Sequence, residues 1–378
     1  MKIITDLPAS DLKGKRVVVR ADFNVPIGQD GEVAEAFRLK QGWSTIQYLK
    51  ERGAKVIVLS HIGRKPEETL APVGRALKHI GQAVYVPDLL GPAARGAVQS
   101  IKDGEVLLLE NVRSDARETE NDESLAKELA SYGELFVNDA FAAAHRAHAS
   151  TVGIAKFLPS YAGLLVRDEV LQLEAALSPQ SPSFAILGGA KFETKAPLIK
   201  SLLQNYDHLF ITGALANDVF KARGLPVGRS LISKELPSED ILKHPGFIAP
   251  VDVTAERSDG QARVKEPEDV EADDKIVDIG PDSLALIAPY IEKANFILWN
   301  GPTGLYEDGY TSWTHAIAVL VAKAHARGAS VVIGGGDTIA AIEGSGIKQS
   351  DLGFLSTGGG AMLEYLMKGT LPAIEVLG

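Results

Sequence analysis

Phe184-Ala185-Ile186-Leu187-Gly188-Gly189-Ala190-Lys191 joins a short apolar run to a glycine turn that ends on a cation. Four consecutive apolar residues closed by glycine read as a buried strand, because a strand of a parallel sheet is covered on both faces. Outward from this unit the same rhythm repeats. Toward the C-terminus the runs are Leu209-Phe210-Ile211, Phe247-Ile248, Phe296-Ile297-Leu298 and Val331-Val332-Ile333. Toward the N-terminus they are Leu135-Phe136-Val137, Val106-Leu107-Leu108-Leu109, Val56-Ile57-Val58-Leu59 and Val17-Val18-Val19. Amphipathic stretches lie between them, among them about Leu39 to Arg52 and about Ser124 to Ser131. This alternation predicts an α/β fold of β-α-β units around parallel sheets. Arg167 to Glu174 reads as a helix, and Ser178-Pro179-Gln180-Ser181-Pro182 after it has the composition of a boundary. The chain therefore divides near residue 170 into two α/β halves. Two domains suit 378 residues, since single cores rarely grow past roughly 250–300 residues.

Composition narrows the chemistry. A formal net charge of −10 argues against a surface built to neutralise many nucleic-acid phosphates. With no cysteine there is no disulfide, thiolate nucleophile or zinc–thiolate cluster. The start, Met1-Lys2-Ile3-Ile4-Thr5-Asp6, lacks the pattern of a signal peptide, and no apolar run approaches the roughly 18 residues of a membrane span. The expected setting is the cytoplasm, with no membrane partner. The polar, acidic stretch from Gln261 to Asp274 reads as a solvated excursion.

Ligands of open α/β sheets bind beyond the carboxyl ends of the strands, so the residues after each run carry the function. In the first half those residues are Arg20-Ala21-Asp22-Phe23-Asn24, Ser60-His61-Ile62-Gly63-Arg64, Glu110-Asn111-Val112-Arg113 and Asn138-Asp139-Ala140-Phe141 leading to His145-Arg146-Ala147-His148. Arg64, Arg113 and Arg146 recurring at one sheet edge of an acidic protein point to a phosphorylated acid, which planar guanidinium forks match. The competing reading has them pair with Asp22, Asp139 or Glu110 and merely hold loops. His145 and His148 also raise a metal site, although no third ligand follows.

In the second half the strand ends are glycine-rich: Gly188-Gly189-Ala190-Lys191, Gly213-Ala214, Asn300-Gly301-Pro302-Thr303-Gly304, Gly334-Gly335-Gly336-Asp337-Thr338 and Ser356-Thr357-Gly358-Gly359-Gly360. Glycine lets backbone amides approach an oxyanion, and a helix opening there adds unpaired N–H groups. Asp337 falls where a helix should start, so it either holds a metal ion or caps that helix. Lys191 and Lys195 are four apart, would share a helix face, and are read as phosphate ligands rather than a solvated face. The P-loop, dinucleotide and protein-kinase signatures are missing.

These motifs, in this order over nearly the whole chain, resemble the phosphoglycerate kinase family; Arg20 to Pro26, Ala144 to Thr151, Trp299 to Pro302, Gly334 to Thr338 and Ser356 to Ala361 are the most specific. The resemblance implies two Rossmann-like domains joined by a hinge helix. Residues 1–170 would bind the acid, with the C-terminal tail 362–378 packing back on them, and 171–361 would bind the nucleotide. The implied reaction makes ATP reversibly from ADP and 1,3-bisphosphoglycerate, leaving 3-phosphoglycerate, with Mg2+ on the nucleotide. By motif match, Asp22, Asn24, Arg38, His61, Arg64, Arg113 and Arg146 bind the acid. Gly189, Lys191, Lys195, Gly213, Asn300, Pro302, Glu307, Gly334, Gly335, Gly336, Asp337 and Thr338 bind nucleotide, with Asp337 on the metal, Glu307 at the ribose and Gly213 against adenine. Arg38, Lys191 and the Gly359 and Gly360 amides are the expected catalytic groups, and a monomer is the expected state. A catalytically silent sensor of nucleotide or phosphorylated acid is the alternative. Ser114, Lys65 and Ala142 depart from the family pattern, as does Thr212-Gly213-Ala214-Leu215-Ala216-Asn217-Asp218, which bears on base preference.

Overall fold

A computed structural model describes residues 1–34 and 36–378, and they form two compact units. The first contains Met1–Leu171 and Thr370–Gly378; the second contains Gln172–Gly369.

The first unit is built on strands β1 (Arg16–Ala21), β2 (Lys55–Leu59), β3 (Val84–Tyr85), β4 (Val106–Leu108), β5 (Leu135–Asp139) and β6 (Ser160–Ala162). They form one sheet in the order β3-β4-β2-β1-β5-β6, every pair parallel. Side chains alternate between two cores because successive residues of a strand face opposite ways. Val17, Val19, Val56 and Val58 pack with Leu39, Trp43, Ile46 and Leu49 of helix α1 (Phe37–Glu51) and with Val73 and Leu77 of α2 (Ala71–Gly81). Val18, Ile57, Leu107 and Phe136 face the other way, onto Ala94 and Val98 of α3 (Pro92–Ser100) and Leu125 and Leu129 of α4 (Glu123–Ala130). Each fully buried aliphatic side chain contributes about 1.5–3 kcal/mol, so a strand apolar on both faces belongs in the middle of such a sandwich. Helix α5 (Leu164–Leu177) carries the chain out of this unit and into the second.

The second unit adds β7 (Ser183–Leu187), β8 (His208–Ile211), β9 (Phe247–Ile248), β10 (Val253–Glu256), β11 (Ala262–Lys265), β12 (Lys275–Ile279), β13 (Phe296–Asn300), β14 (Ser330–Gly334) and β15 (Phe354–Leu355). A parallel sheet runs β15-β14-β13-β7-β8-β9, beside a small antiparallel sheet β11-β10-β12. The helices are α6 (Phe192–Asn205), α7 (Ala214–Ala222), α8 (Glu239–Leu242), α9 (Pro281–Lys293), α10 (Ser312–Ala326), α11 (Gly336–Ile342) and α12 (Gly360–Lys368). Phe184, Ile186, Ile297, Trp299, Val331 and Ile333 pack against Ile287 and Ile291 of α9 and Ile317 and Val321 of α10. The last helix, α13 (Pro372–Glu375), lies in the first unit, where Lys2 N donates to Leu377 O at 3.0 Å and Ala373 N to Ala144 O at 3.1 Å. The chain returns at Thr370, after α12 and not at 362, because α12 packs on α6 of the second unit.

Short elements and local pairing account for what the sequence does not display. Strands β3, β6 and β15 are two or three residues at sheet edges, too short for a periodicity. The stretch from Gln261 to Asp274 is solvated over much of its length, as expected, and is also ordered. It holds β11, exposed at Ala262, Arg263 and Val264, and an ion pair between Lys265 Nζ and the buried Asp274 at 2.7 Å. Each large sheet reverses its strand order beside one central strand, β1 between β2 and β5 and β7 between β13 and β8. Crevices at such reversals are where ligands bind.

Candidate active site

At the carboxyl edge of the first sheet, β1, β2 and β5 end together because they are paired in register. Asp22 follows β1 and is 7% exposed. Its Oδ2 accepts from Arg38 Nη1 at 3.2 Å, and the same nitrogen lies 3.3 Å from Asn24 O. Asn24 Oδ1 accepts from Gly63 N at 2.9 Å, which ties the β1 end to the loop after β2. His61 heads that loop, buried, with Nδ1 at 3.1 Å from Arg20 Nη2. Arg113, in the turn Val112–Ser114 after β4, donates to Gly63 O. Arg146 is exposed, with Nε donating to His145 Nε2 at 3.0 Å.

Four guanidinium groups, Arg20, Arg38, Arg113 and Arg146, thus gather around two carboxylates, Asp22 and Glu118. Burial first, then the charges of Arg20 and Arg113, push His61 down to about 2 and His148 down to about 4, so both rings are neutral. Burial and the neighbouring Arg146 likewise lower Arg113. Such an excess of positive charge attracts an anion electrostatically. Asp22 is paired by Arg38, a residue outside the loop-holding reading of Arg64, Arg113 and Arg146, whereas Arg113 does tie a loop, through Gly63 O. Glu110 is taken by Tyr85, by Thr69 Oγ1 at 2.7 Å and by Leu70 N at 2.8 Å. Asp139 accepts from Leu165 N at 3.0 Å and Val166 N at 3.3 Å, at the start of α5. Arg64 stands exposed at the rim, its backbone N donating to Glu68 Oε2 at 2.6 Å. No three His, Asp or Glu side chains among the described residues are placed to hold a metal, so the His145 and His148 reading fails. The sequence reading missed Glu118 and the buried cluster it forms with Arg20 and Ser150, because the three meet only through the fold.

In the second unit the glycines separate into two kinds. Gly188, Gly213 and Gly301 let three strand ends touch: a Cβ on Gly188 would lie 2.5 Å from Pro302 O, one on Gly301 2.6 Å from Gly188 Cα, and one on Gly213 2.9 Å from Gly189 N. Gly336, Gly359 and Gly360 have nothing within 4 Å of such a Cβ. They open α11 and α12, so a side chain is missing where those helices begin, at their positive ends. Gly189 lies under Lys195, whose Cε would be 3.2 Å from an added Cβ. Burial lowers the Lys195 ammonium, and the charge of the Asp337 carboxylate acts the other way.

Gly189, Gly213, Pro302, Glu307 and Asp337 line a cavity of about 290 Å3, completed by Ala214, Asn217, Val253, Lys275, Asp278, Leu305 and Tyr306 among others. Its wall is largely apolar, as a base site requires. Asp337 is exposed, and its Oδ1 accepts from Tyr306 Oη at 3.2 Å. It lies in the first turn of α11 and Gly335 holds the cap position, so the capping reading of Asp337 is wrong. Lys191 is also misplaced by the sequence reading. It sits at the cap of α6 with φ +64 and not within that helix, so it shares no helical face with Lys195. Asn300, Gly334 and Thr338 are buried behind the cavity: Thr338 Oγ1 accepts from Gly301 N at 2.7 Å and donates to Gly334 O at 2.8 Å. The altered segment has a structural use. Asn217 Nδ2 donates to Leu231 O at 3.2 Å, and Asp218 accepts from Ser233 N and Oγ, each at 2.7 Å. Ser233 Oγ in turn accepts from Phe192 N at 2.8 Å, at the start of α6.

Burial pushes the Asp278 carboxyl, at the cavity wall, up from 3.8 to about 7. The folded chain then holds that proton more tightly than the unfolded chain. The contribution is complete below 3.8 and is lost as pH rises to about 7. Asp278→Asn is therefore expected to raise Tm at pH 8 by on the order of 3–6 °C and to leave Tm at pH 3.5 nearly unchanged. Calorimetric scans at the two pH values check this; equal shifts at both contradict it.

The family model for phosphoglycerate kinase matches residues 4–369. The chain belongs to the phosphoglycerate kinase family. It is 42% identical to the phosphoglycerate kinase of Francisella tularensis subsp. tularensis over 388 aligned residues, covering 97% of this chain and 96% of that one. To that of Chloroflexus aggregans it is 40% identical, covering 97% of each chain. Solved phosphoglycerate kinase structures carry the same fold. That from Coxiella burnetii superposes with a TM-score of 0.83 at 36% identity, over 99% of this chain and 98% of that chain. That from Pyrococcus horikoshii OT3 gives 0.86 at 32% identity, over 100% and 98%. As a phosphoglycerate kinase the chain transfers a phosphoryl group reversibly between 1,3-bisphosphoglycerate and ADP, giving 3-phosphoglycerate and ATP. It is a phosphotransferase with a carboxyl group as acceptor, and the silent-sensor alternative is not favoured.

Proposed function

We propose that the first unit binds 3-phosphoglycerate through Asp22, Asn24, Arg38, His61, Arg64, Arg113 and Arg146. The excess of guanidinium over carboxylate at the edge of β1, β2 and β5 carries this reading. The second unit binds the nucleotide, with the base in the apolar cavity between Gly213 and Leu305 and the ribose at Glu307. The phosphates lie toward Lys191, Lys195, the amide of Gly336 and Asp337. Asn300, Gly334, Gly335 and Thr338 support that surface from behind, since the Thr338 hydroxyl is spent on Gly301 and Gly334.

The residues present fit a magnesium ion that arrives on the nucleotide. Magnesium keeps several waters and takes one or two carboxylates with phosphate oxygens. Asp337 is exposed and carboxylate-bearing at the cavity edge, and among the described residues no protein cage competes for the ion. Bound there, the ion neutralises charge on the phosphates. Asp337→Ala is expected to raise the Kd for MgADP by about tenfold or more and to leave that for metal-free ADP nearly unchanged. Calorimetric titration decides; equal affinity of variant and parent for MgADP refutes the role.

Transfer needs positioning and charge cancellation more than covalent help. Lys191 neutralises the transferring phosphoryl, Arg38 the acid, and the Gly359 and Gly360 amides add the dipole of α12. No general base is needed toward ATP, because the attacking ADP oxygen is already anionic. The reaction further requires the two ligands to be brought together and water expelled, which we assign to a closing motion about α5. The enzyme acts as a monomer in the cytoplasm on small molecules alone.

A further inference from the structure

Arg20 is 1% exposed, and its guanidinium is spent wholly inside the protein. Nε donates to Ser150 Oγ at 2.9 Å, Nη1 donates to Ala21 O at 2.5 Å, and Nη2 lies 3.1 Å from His61 Nδ1. Ser150 is fixed in turn, donating from N and Oγ to the fully buried Glu118 at 2.9 and 2.6 Å. A guanidinium has donors only and keeps its proton at every accessible pH. At 3.1 Å a protonated Nδ1 would set two N–H groups against each other, so Nδ1 is the acceptor. The neutral ring then carries its proton on Nε2. The other candidate partner of Nδ1, Asp22 Oδ1, is farther away at 3.8 Å.

We propose that Arg20, held by Ser150 and Glu118, is a positioning residue that fixes His61 as the Nε2–H tautomer. The ring then offers the phosphorylated acid one donor and no competing acceptor, a step that rests on the acid-binding reading above. The groups facing the ring agree. Arg20, Arg113, Arg146 and His148 act against an imidazolium, and the Asp22 carboxylate, 3.8 Å away, favours one. A ring free to titrate or to exchange tautomers would present the wrong atom part of the time.

The test is a long-range 1H–15N correlation spectrum of the whole chain labelled at its histidines, with His61 assigned by His61→Gln. The expected spectrum has Nε2 protonated and Nδ1 bare, unchanged from pH 8 to pH 5. A protonated Nδ1, or titration within that interval, overturns the proposal whatever the activity. Addition of 3-phosphoglycerate is expected to shift Nε2; a correct tautomer with no shift contradicts the ligand contact of His61 and not its tuning by Arg20. Arg20→Met is expected to let His61 titrate between pH 5 and 8. It should raise the KM for 3-phosphoglycerate about tenfold at pH 8, with part of the loss recovered at pH 6, where the imidazolium again carries Nε2–H. Because that variant leaves Glu118 without its cation, the double variant Arg20→Met with Glu118→Gln is measured beside it. A KM ratio to the parent that is flat with pH in both overturns the proposal.

Discussion

Lys191→Ala is expected to lower kcat by about 10²–10³ while changing Tm little. The side chain is exposed, so its removal leaves no cavity. The backbone work at this position is done by other atoms: Lys191 O accepts from Thr194 N at 3.0 Å, and Phe192 N is taken by Ser233 Oγ. Alanine meets the same cost of about 1–2 kcal/mol as lysine at φ +64. The loss therefore falls on charge developing during transfer and not on folding. Steady-state kinetics with 3-phosphoglycerate and MgATP should show both KM values within about threefold of the parent, the sign of an interaction made mainly in the transition state. An unchanged kcat removes Lys191 from the mechanism.

Gly213→Val is expected to damage nucleotide binding and leave acid binding intact. Its Cβ would lie 2.9 Å from Gly189 N and 3.3 Å from Gly189 O, both backbone atoms of the β7 end. A β-branched residue at φ +63 adds a second penalty. Relief requires the ends of β7 and β8 to separate, which deforms the wall shared with Pro302. A stability loss on the order of 3 kcal/mol is expected for the second unit. MgADP affinity should fall about thirtyfold or more, with 3-phosphoglycerate affinity unchanged because Gly213 belongs to the second unit. Calorimetric titration of the variant with each ligand checks both halves. Equal losses for the two ligands would mean that the substitution unfolds the chain at large.

The parallel sheets were legible because both of their faces are covered, so each central strand appears as an unbroken apolar run. The candidate anion site was legible for a related reason: arginine and histidine recur at successive strand ends. What stayed hidden depends on residues distant in sequence. Arg20 reads as one more strand-end cation, yet its partner Ser150 is 130 residues away, and only the fold turns that guanidinium inward. Asn217 and Asp218 look like a disturbance of the base site, and their use appears only once Leu231 and Ser233 are seen beside them. Spacing misled at Lys191, because a four-residue interval implies a shared face only when both residues are helical. Glycine gave the same letter for two tasks. Gly188 and Gly301 close strands onto each other, whereas Gly359 and Gly360 border open space at the start of α12, and only the surroundings of each Cβ position separate them.

The account turns on one division of labour, acid at the carboxyl edge of the first sheet and nucleotide at that of the second. A crystal structure of the chain grown with 3-phosphoglycerate and MgADP tests it most directly. The predicted result places the phosphorylated acid within hydrogen-bond distance of His61 Nε2, Arg113 and Arg146, and the nucleotide base between Gly213 and Leu305 with its phosphates near Lys195 and Asp337. Electron density for 3-phosphoglycerate in the second unit, or for the nucleotide among the arginines of the first, would contradict it.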